Sequence, residues 1–178
     1  MTTIIFLDFD DVLAIHRRYN SFQVKLAFEN FATDDYPELW VNLFEARATK
    51  NLLALHDEFS PLYVITSSWT GFLSNEQVIE ALNRAGAYFV ATNLHCDWQV
   101  ELGDKVTRLD AVRVWLETHS NTERFVILDD PLSGASLQYS ELDPWCVFCE
   151  PWRGFDAQRL KLAQEILRKP LQPMSRIL

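Results

Sequence analysis

The first segment of the chain is a run of apolar residues that ends abruptly in acids. Residues 3–7, Thr-Ile-Ile-Phe-Leu, carry no charge, and aspartates follow at positions 8, 10 and 11. This pattern predicts a strand that is buried on both faces and presents carboxylates at its carboxyl end. The two-residue period of a strand places Asp8 and Asp10 on the same side of the backbone. Two carboxylates so close together favour a bound cation such as Mg²⁺, which prefers oxygen ligands.

Later apolar segments predict further strands, and amphipathic segments between them predict helices. We expect strands at residues 62–69, 88–91, 124–130 and 145–149. We expect helices, with charges between apolar positions, at residues 45–59, 75–85, 104–119 and 156–167. Ser74 and Gln77 form a capping-box pattern at the start of the second helix. Strands that alternate with helices predict an α/β fold with a parallel, doubly wound sheet and helices on both faces.

The segment 14–44 has neither a helical nor a strand period throughout. Aromatic and charged residues are mixed within it, and we expect only a short helix, at about residues 37–44. We interpret this segment as an irregular insertion over the carboxyl edge of the first strand. Residues 170–178 resemble a tail, and no repeat or linker indicates a second domain. The sequence therefore predicts a single domain over residues 1–169.

Composition and charge narrow the possible partners. A chain of 178 residues with 48% hydrophobic content is sufficient for one packed core. The net charge of −9 opposes bulk attraction to nucleic acid or to anionic membranes, although local contact with nucleic-acid ends stays possible. Three cysteines without the spacing of a disulfide framework suit a reducing cytosol. We therefore expect a cytoplasmic protein with no membrane partner; the sequence does not determine its oligomeric state.

Chemically useful side chains follow three of the five predicted strands. Because the carboxyl ends of parallel strands meet at one edge, where open α/β sheets bind ligands, these side chains converge if their strands are neighbours around a central first strand. Lys105, at the opening of a predicted helix, adds an ammonium group. The side chains at the strand ends are Asp8 with Asp10, Thr66 with Ser67, and Asp129 with Asp130.

These motifs resemble, in order, those of the haloacid dehalogenase (HAD) superfamily of aspartate-nucleophile phosphohydrolases. The matching motifs are Leu7-Asp8-Phe9-Asp10-Asp11-Val12-Leu13, Val64-Ile65-Thr66, Lys105 and Leu128-Asp129-Asp130. Ser67-Ser68-Trp69 and Glu150-Pro151-Trp152-Arg153-Gly154 resemble the small capless branch that includes phosphatase domains attached to RNA-repair proteins. The resemblance implies a HAD-like Rossmannoid sheet of strand order 5-4-1-2-3 with a minimal cap.

The resemblance also implies a role for each acid. Asp8 would be the nucleophile that forms an aspartyl-phosphate. Asp10 would protonate the leaving oxygen and then deprotonate the attacking water. Mg²⁺ would be held by Asp8, by the backbone carbonyl of Asp10 and by Asp130, with Asp129 nearby through water. The implied activity is Mg²⁺-dependent hydrolysis of phosphomonoesters.

The phosphoryl oxygens would be held by the Thr66 hydroxyl and by the residues after it, Ser67 and Ser68. Lys105 would neutralise the charge that develops on the nucleophile and the phosphoryl group. Two alternatives stay open. Ser67 takes the place of Thr66 if the strand register differs by one residue, and Arg108 lies near enough in sequence to replace Lys105.

The insertions indicate an open site that suits a large or nucleotide-like substrate of unknown identity. The segment 14–44 is long enough for the β-hairpin flap of the family but too short for a helical bundle. Arg17 is either part of a solvated loop or a substrate-binding residue at the lip of the site. A catalytically weak or inactive phosphate-binding or interaction module is the alternative function. His95 and Cys96 have no partner at ligand spacing, and we expect structural roles for them.

Overall fold

A five-stranded parallel sheet forms the centre of the molecule, a computed structural model that describes residues 2–103, 105–119, 122 and 124–169. The strand order is β3-β2-β1-β4-β5, which is the expected order read from the other edge. All four pairings are parallel. The predicted fold class is confirmed. The strands are β1 (Thr3–Leu7), β2 (Leu62–Ile65), β3 (Leu94–Gln99), β4 (Arg124–Asp129) and β5 (Cys146–Phe148).

Seven helices connect or flank these strands within the described part of the chain. They are α1 (Ser21–Glu29), α2 (Pro37–Leu43), α3 (Ala46–Phe59), α4 (Asn75–Arg84), α5 (Tyr88–Ala91), α6 (Arg108–Thr118) and α7 (Ala157–Arg168). The capping box predicted before α4 is confirmed, since the Ser74 hydroxyl accepts the Gln77 backbone N–H and the Gln77 side chain accepts the Ser74 N–H. Gly86, in the left-handed region with φ of 79°, follows α4.

The sheet is covered on both faces because the side chains of its central strand alternate between two apolar layers. Ile5 and Leu7 of β1 lie in the larger layer, with residues of α3, α4 and α7. Ile4 and Phe6 lie in the other layer, with residues of α6. Every residue of β1 is buried, as the uncharged run at the start of the chain predicts.

The third strand was predicted at the wrong place. Residues 88–91, expected as a strand, form the short helix α5, and the true edge strand β3 lies at Leu94–Gln99, where no strand was expected. Phe89 and Val90 are both buried although they are adjacent, which a helical turn permits. Strand β3 has the sequence LHCDWQ and is partly exposed at the sheet edge, so it lacks the apolar pattern by which the other strands were recognised.

The insertion 14–44 is more helical than its sequence pattern suggests. The short helix expected at about 37–44 is present as α2, but α1 was not expected. In place of the hairpin flap, the structure has a tight turn closed by a single bridge between Asp10 and Ala14. Residues 170–178, interpreted as a tail, lie outside the described residues. Within the described residues, no helix combines the length and the apolar character needed to cross a membrane.

Candidate active site

Asp8 lies at the carboxyl edge of the sheet, between the ends of two neighbouring strands. Its backbone N–H donates to the carbonyl of Leu128 at 3.0 Å, and the Thr66 N–H donates to the carbonyl of Leu7 at 3.0 Å. These bonds continue the pairing of β1 with β4 and β2 one residue past each strand. Asp8 is consequently held between Thr66 on one side and Asp129 on the other, as the strand ends in the sequence predict.

The chain turns sharply after Asp8, and this turn sets the position of Asp10. The carbonyl of Phe9 accepts backbone N–H groups from residues 12, 13 and 14, and Asp11 has a left-handed φ of 57°. The indole Nε1 of Trp69 donates to Asp10 Oδ2 at 2.9 Å. Trp69 is itself fully buried. Asp10 therefore has a fixed hydrogen-bond partner, Trp69, which is not a hydrogen-bond partner of Asp8.

Three carboxylates form a compact, buried cluster. One oxygen from each of Asp8, Asp129 and Asp130 lies within 4.8 Å of the others, and the residues are 2%, 0% and 3% exposed. Asp130 Oδ1 accepts the N–H groups of residues 132 and 133 at 2.7 and 3.1 Å, which fixes that side chain. Gly134 closes the same turn, and a Cβ there would lie 2.9 Å from the carbonyl oxygen of Asp130. The turn therefore requires a residue without a side chain at this position.

Arg108 is the cation that the fold brings to this cluster. Its Nη2 lies 3.4 Å from Asp8 Oδ2, and its Nε lies 2.9 Å from Asp129 Oδ2. Arg108 is the first residue of α6 and is only 8% exposed. Lys105, which the sequence favoured for this role, is exposed and precedes the helix. The structure thus brings the alternative that the sequence left open into contact with the acids.

Burial raises the pKa values of the acids at the site. The pKa of Asp8 is raised to about 6, mainly by burial, and the Arg108 charge opposes this rise. The pKa of Asp129 is raised well above its usual value by burial and by the negative charge of Asp8. Burial also raises the pKa of Asp10, while the hydrogen bond from Trp69 lowers it. A raised pKa favours the protonated form of Asp10, which suits the proton transfer that the resemblance implies for this residue.

The cluster fits a hard divalent cation. Three buried carboxylates face one guanidinium group, so the charge of the acids is not fully compensated within this set. Asp129 Oδ2 lies near Arg108 Nε but not in line with its N–H bond, and among the described residues this buried oxygen accepts no hydrogen bond. Oxygen-only ligands at a buried, polar site are typical of Mg²⁺ in proteins. The residues present therefore match the metal predicted from the sequence.

Two further donors at the site have no partner, and a third lies beside Asp8. The Thr66 hydroxyl and Nη1 of Arg108 are buried without a hydrogen-bond partner within the part of the chain that the structure describes. The Ser67 hydroxyl is buried next to Asp8 and lowers the pKa of that carboxyl. Leaving buried donors unpaired costs free energy, on the order of 1–3 kcal/mol each. An anionic ligand with several oxygens, such as a phosphoryl group, is the kind of partner that such donors bind. Both Thr66 and Ser67 keep their candidate role, whereas Ser68 is exposed and begins a 3₁₀ turn.

Arg17 contacts the late loop at Trp152 and lies outside the acid cluster. Its guanidinium carbon is 4.4 Å from the centroid of the Trp152 ring, which is 55% exposed. The backbone N–H of Trp152 faces Asp11 and lowers the pKa of that carboxyl, which burial raises. Gly154 brings this loop close to the first motif, since a Cβ there would lie 2.7 Å from the carbonyl oxygen of Val12. The late loop and the acid turn are therefore packed directly together.

The sequence that folds into this sheet and site matches a known domain family. Residues 4–160 match the family model described as "HAD domain in Swiss Army Knife RNA repair proteins". The chain belongs to this family. Comparisons with curated proteins and with solved structures gave no significant match. Membership supports a phosphohydrolase-like function for this HAD domain, and it covers both motifs by which the sequence resembles the capless branch.

Sequence reasoning missed two contacts at the site of this HAD domain. The hydrogen bond from Trp69 to Asp10 joins residues 59 positions apart, and the motif containing Trp69 had been used only as a family marker. The close approach of Gly134 to Asp130 was not anticipated either. The sequence signal for the second contact was Gly134, four residues after the aspartate of the Asp130-Pro131 turn. No local pattern indicates the first, because it depends on packing between β1 and β2.

Proposed function

We propose that this HAD domain is a Mg²⁺-dependent phosphatase that hydrolyses phosphomonoesters through an aspartyl-phosphate on Asp8. The observation that carries the proposal is the buried cluster of Asp8, Asp129 and Asp130 with Arg108 in contact. A buried carboxylate beside a cation and a metal-binding set is suited to attack phosphorus in a site of low dielectric constant. Mg²⁺, when bound, would reduce the repulsion between the carboxylates and the phosphate dianion.

The two steps divide between Asp8 and Asp10. In the first step, an oxygen of Asp8 forms a bond to phosphorus while the bond from phosphorus to the leaving oxygen breaks, and Asp10 donates a proton to that oxygen. In the second step, Asp10 takes a proton from water, whose oxygen attacks phosphorus and releases Asp8 and inorganic phosphate. Burial raises the pKa of Asp10, which favours the protonated form needed first. Trp69 holds the Asp10 carboxylate during both transfers.

The transferred phosphoryl group would be held by buried donors at the site. Nη1 of Arg108 and the hydroxyl of Thr66 have no partner among the described residues, and the Ser67 hydroxyl lies beside Asp8. Hydrogen bonds from these groups would strengthen as negative charge shifts onto the equatorial oxygens in the transition state. Lys105 is exposed and could assist only from the entrance of the site.

The substrate we propose is large or nucleotide-like, such as a phosphorylated nucleic-acid end. The family description names RNA-repair proteins, and the surface beside Asp11 carries the stacked pair Arg17 and Trp152. An indole ring can stack on a base, and a guanidinium group can bind a neighbouring phosphate. Bulk binding of nucleic acid remains disfavoured by the net charge of −9. We also propose a reducing, cytoplasmic location, in agreement with three unpaired cysteines.

The proposal is tested by phosphate release from a generic aryl phosphate. We expect turnover by the purified wild-type protein with Mg²⁺, loss of turnover on chelation, and loss in Asp8→Asn by at least about 10³-fold, the effect typical of removing a nucleophile. Asp35→Asn, an exposed acid in a 3₁₀ turn, is the matched control and should retain activity.

One outcome would favour the alternative function, a phosphate-binding or interaction module without turnover. The phosphatase proposal would be contradicted if wild-type protein binds orthovanadate or inorganic phosphate but hydrolyses no member of a broad phosphoester panel. Equal activity of wild-type protein and Asp8→Asn would show that any hydrolysis observed arises elsewhere.

A further inference from the structure

Three side chains that can bind a transition metal lie together in the edge strand β3, and a fourth, His119 at the carboxyl end of α6, contacts one of them. His95, Cys96 and Asp97 are consecutive in β3, and one ligand atom from each lies within 4.8 Å of the others. His119, the residue after α6, places its Nε2 3.0 Å from Asp97 Oδ2. The ring centroids of His95 and His119 are 5.0 Å apart. The sequence showed His95 and Cys96 without a distant partner; the fold supplies one in His119.

This cluster is distinct from the candidate active site. Helix α6 begins at Arg108, which contacts the buried acids, and ends one residue before His119. Its 11 residues span about 16 Å at 1.5 Å per residue. The inference below therefore does not depend on the phosphatase proposal.

The orientation of His119 is fixed in a way that suits a metal ligand. Its Nδ1 lies 2.8 Å from the backbone carbonyl of Trp115, and its ring stacks on the Trp115 indole with centroids 3.9 Å apart. A carbonyl oxygen only accepts hydrogen bonds, so this contact favours the tautomer with the proton on Nδ1, which also lies 3.0 Å from the Thr118 hydroxyl. In neutral His119 the lone pair of Nε2 then faces the carboxylate of Asp97, and two acceptors 3.0 Å apart require a cation or a proton between them. Histidines that bind metals commonly donate their second N–H to a carbonyl in this way.

The spacing of Cys96 and His95 also fits a metal ion. Cys96 Sγ lies 3.7 Å from His95 Nδ1, close to the separation of about 3.5 Å expected between sulfur and nitrogen ligands of tetrahedral zinc. Nδ1 of His95 accepts the backbone N–H of Asp97 at 3.0 Å. A metal on Nδ1 would replace this bond, and because Asp97 is exposed its N–H could bond to water instead.

We propose that His95, Cys96, Asp97 and His119 form a second metal site, which binds Zn²⁺ or a similar transition metal. Thiolate and imidazole ligands favour such ions over Mg²⁺, whereas the acids at the active site are oxygen ligands only. The partial negative charge at the carboxyl end of α6 adds to the attraction for a cation. The bound ion would link the edge strand β3 to α6 and stabilise that side of the sheet.

Cobalt binding tests this site separately from the active site, because only a thiolate ligand gives a near-ultraviolet charge-transfer band with Co²⁺. Untagged protein in excess Mg²⁺ is titrated with Co²⁺. We expect one thiolate-bound Co²⁺ per chain, displaced by Zn²⁺. The band should disappear in Cys96→Ser, and Co²⁺ affinity should fall at least about tenfold in His119→Gln. Cys146→Ser, which alters a thiol on the opposite edge strand β5, is the matched control and should keep the band.

Three results would overturn the proposal. They are absence of the band at saturating Co²⁺, persistence of the band in Cys96→Ser, and unchanged affinity in His119→Gln. Thermal unfolding gives an independent readout, since a ligand that binds only the folded state raises Tm. Zn²⁺ should raise the Tm of the wild-type protein and of Cys146→Ser but not that of Cys96→Ser.

Discussion

The charged clusters at the two ends of α6 differ in how deeply they are buried. At its first residue, Arg108 contacts Asp8 and Asp129, and all three side chains are at most 6% exposed. Just past its last residue, His119 pairs with Asp97, whose side chains are 19% and 68% exposed. The same helix thus positions Arg108 in the interior of the protein and His119 near solvent.

The difference shows how burial decides what a charged contact can do. At the buried end, water cannot compensate a carboxylate, so pKa values rise and each unpaired donor has a free-energy cost. Such a site is prepared for a charged ligand. At the exposed end, solvent screens the pair, and a typical surface ion pair contributes about 0–1 kcal/mol. There a bound metal, and not the pair itself, would supply the stability.

Among changes at the two ends of α6 and at Trp69, the largest effect is expected from removing the buried cation. Arg108→Ala should lower kcat for an aryl phosphate by roughly 10²–10³-fold, because a donor to the developing phosphoryl charge is lost. Lys105→Ala and Arg113→Ala, the latter on the same helix in an exposed pair with Glu141, should change kcat less than about threefold, as for weak surface pairs. A larger loss in Lys105→Ala than in Arg108→Ala would show that Lys105 is the catalytic cation. Tm measurements separate loss of fold from loss of chemistry.

The next largest effect is expected on the pH dependence of the free energy of unfolding, measured without metal. The folded-state pKa of Asp8 is about 6, above its ordinary value of 3.8, so the protonated form favours folding. Its stabilising contribution is present below about pH 4 and is lost as the pH rises through 6, by at most about 3 kcal/mol. The free energy of unfolding of wild-type protein, measured relative to Asp8→Asn in chelator, should therefore fall between pH 4 and 6. A constant difference across that range would contradict the raised pKa.

A smaller effect is expected at Trp69, which positions Asp10. Trp69→Phe removes a hydrogen bond to a carboxylate, worth about 1.5–3 kcal/mol, so kcat should fall about tenfold to hundredfold. The bond lowers the pKa of Asp10, and its loss should move the limb of the pH–rate profile that belongs to Asp10 to higher pH. A reduced kcat with an unmoved profile would indicate a packing defect alone. Trp115→Phe, an indole on α6 that donates to the Asp97 carbonyl, is the matched control.

The smallest effect is expected at the exposed end of α6. In the presence of chelator, His119→Gln should change the free energy of unfolding by less than about 1 kcal/mol, as for a surface ion pair. Denaturant titration measures this difference. A loss of several kcal/mol without metal would mean that the pair is as strongly coupled as the buried acids, and the contrast between the two ends would fail.

The sheet and its acids were predictable because they rest on local patterns. The uncharged run at β1 and the apolar run at β4 are continuous, so their strands and the acids that follow them are visible along the chain. Parallel pairing then brings these acids to one edge, whatever the details of the loops. Strand β3 was misplaced because an edge strand needs no continuous apolar pattern. Helix α1 was missed for a similar reason, since Phe22 and Leu26 remain exposed on its surface.

Which cation contacts the acids is visible only in the tertiary structure. Lys105 precedes the helix that Arg108 opens, and nothing in their spacing shows which of the two side chains reaches Asp8. The capping box of Thr107 with Asp110 starts α6 at residue 108, which turns Arg108 inward to the acids and leaves Lys105 in solvent. The same limit applies to His119, whose neighbours in β3 lie more than twenty residues away.

By itself, the sequence determined the α/β class and the acids at the carboxyl edge, because continuous apolar runs and strand-end polarity are local properties. The strand order came from the resemblance to the HAD superfamily. The tertiary structure alone decided which side chains complete each cluster: Arg108 at the buried acids, Trp69 at Asp10 and His119 at β3. These partners come from separate elements, and their distances depend on how helices pack on the sheet. Burial, which sets the energy of every charge in the two clusters, is likewise a property of the packed molecule.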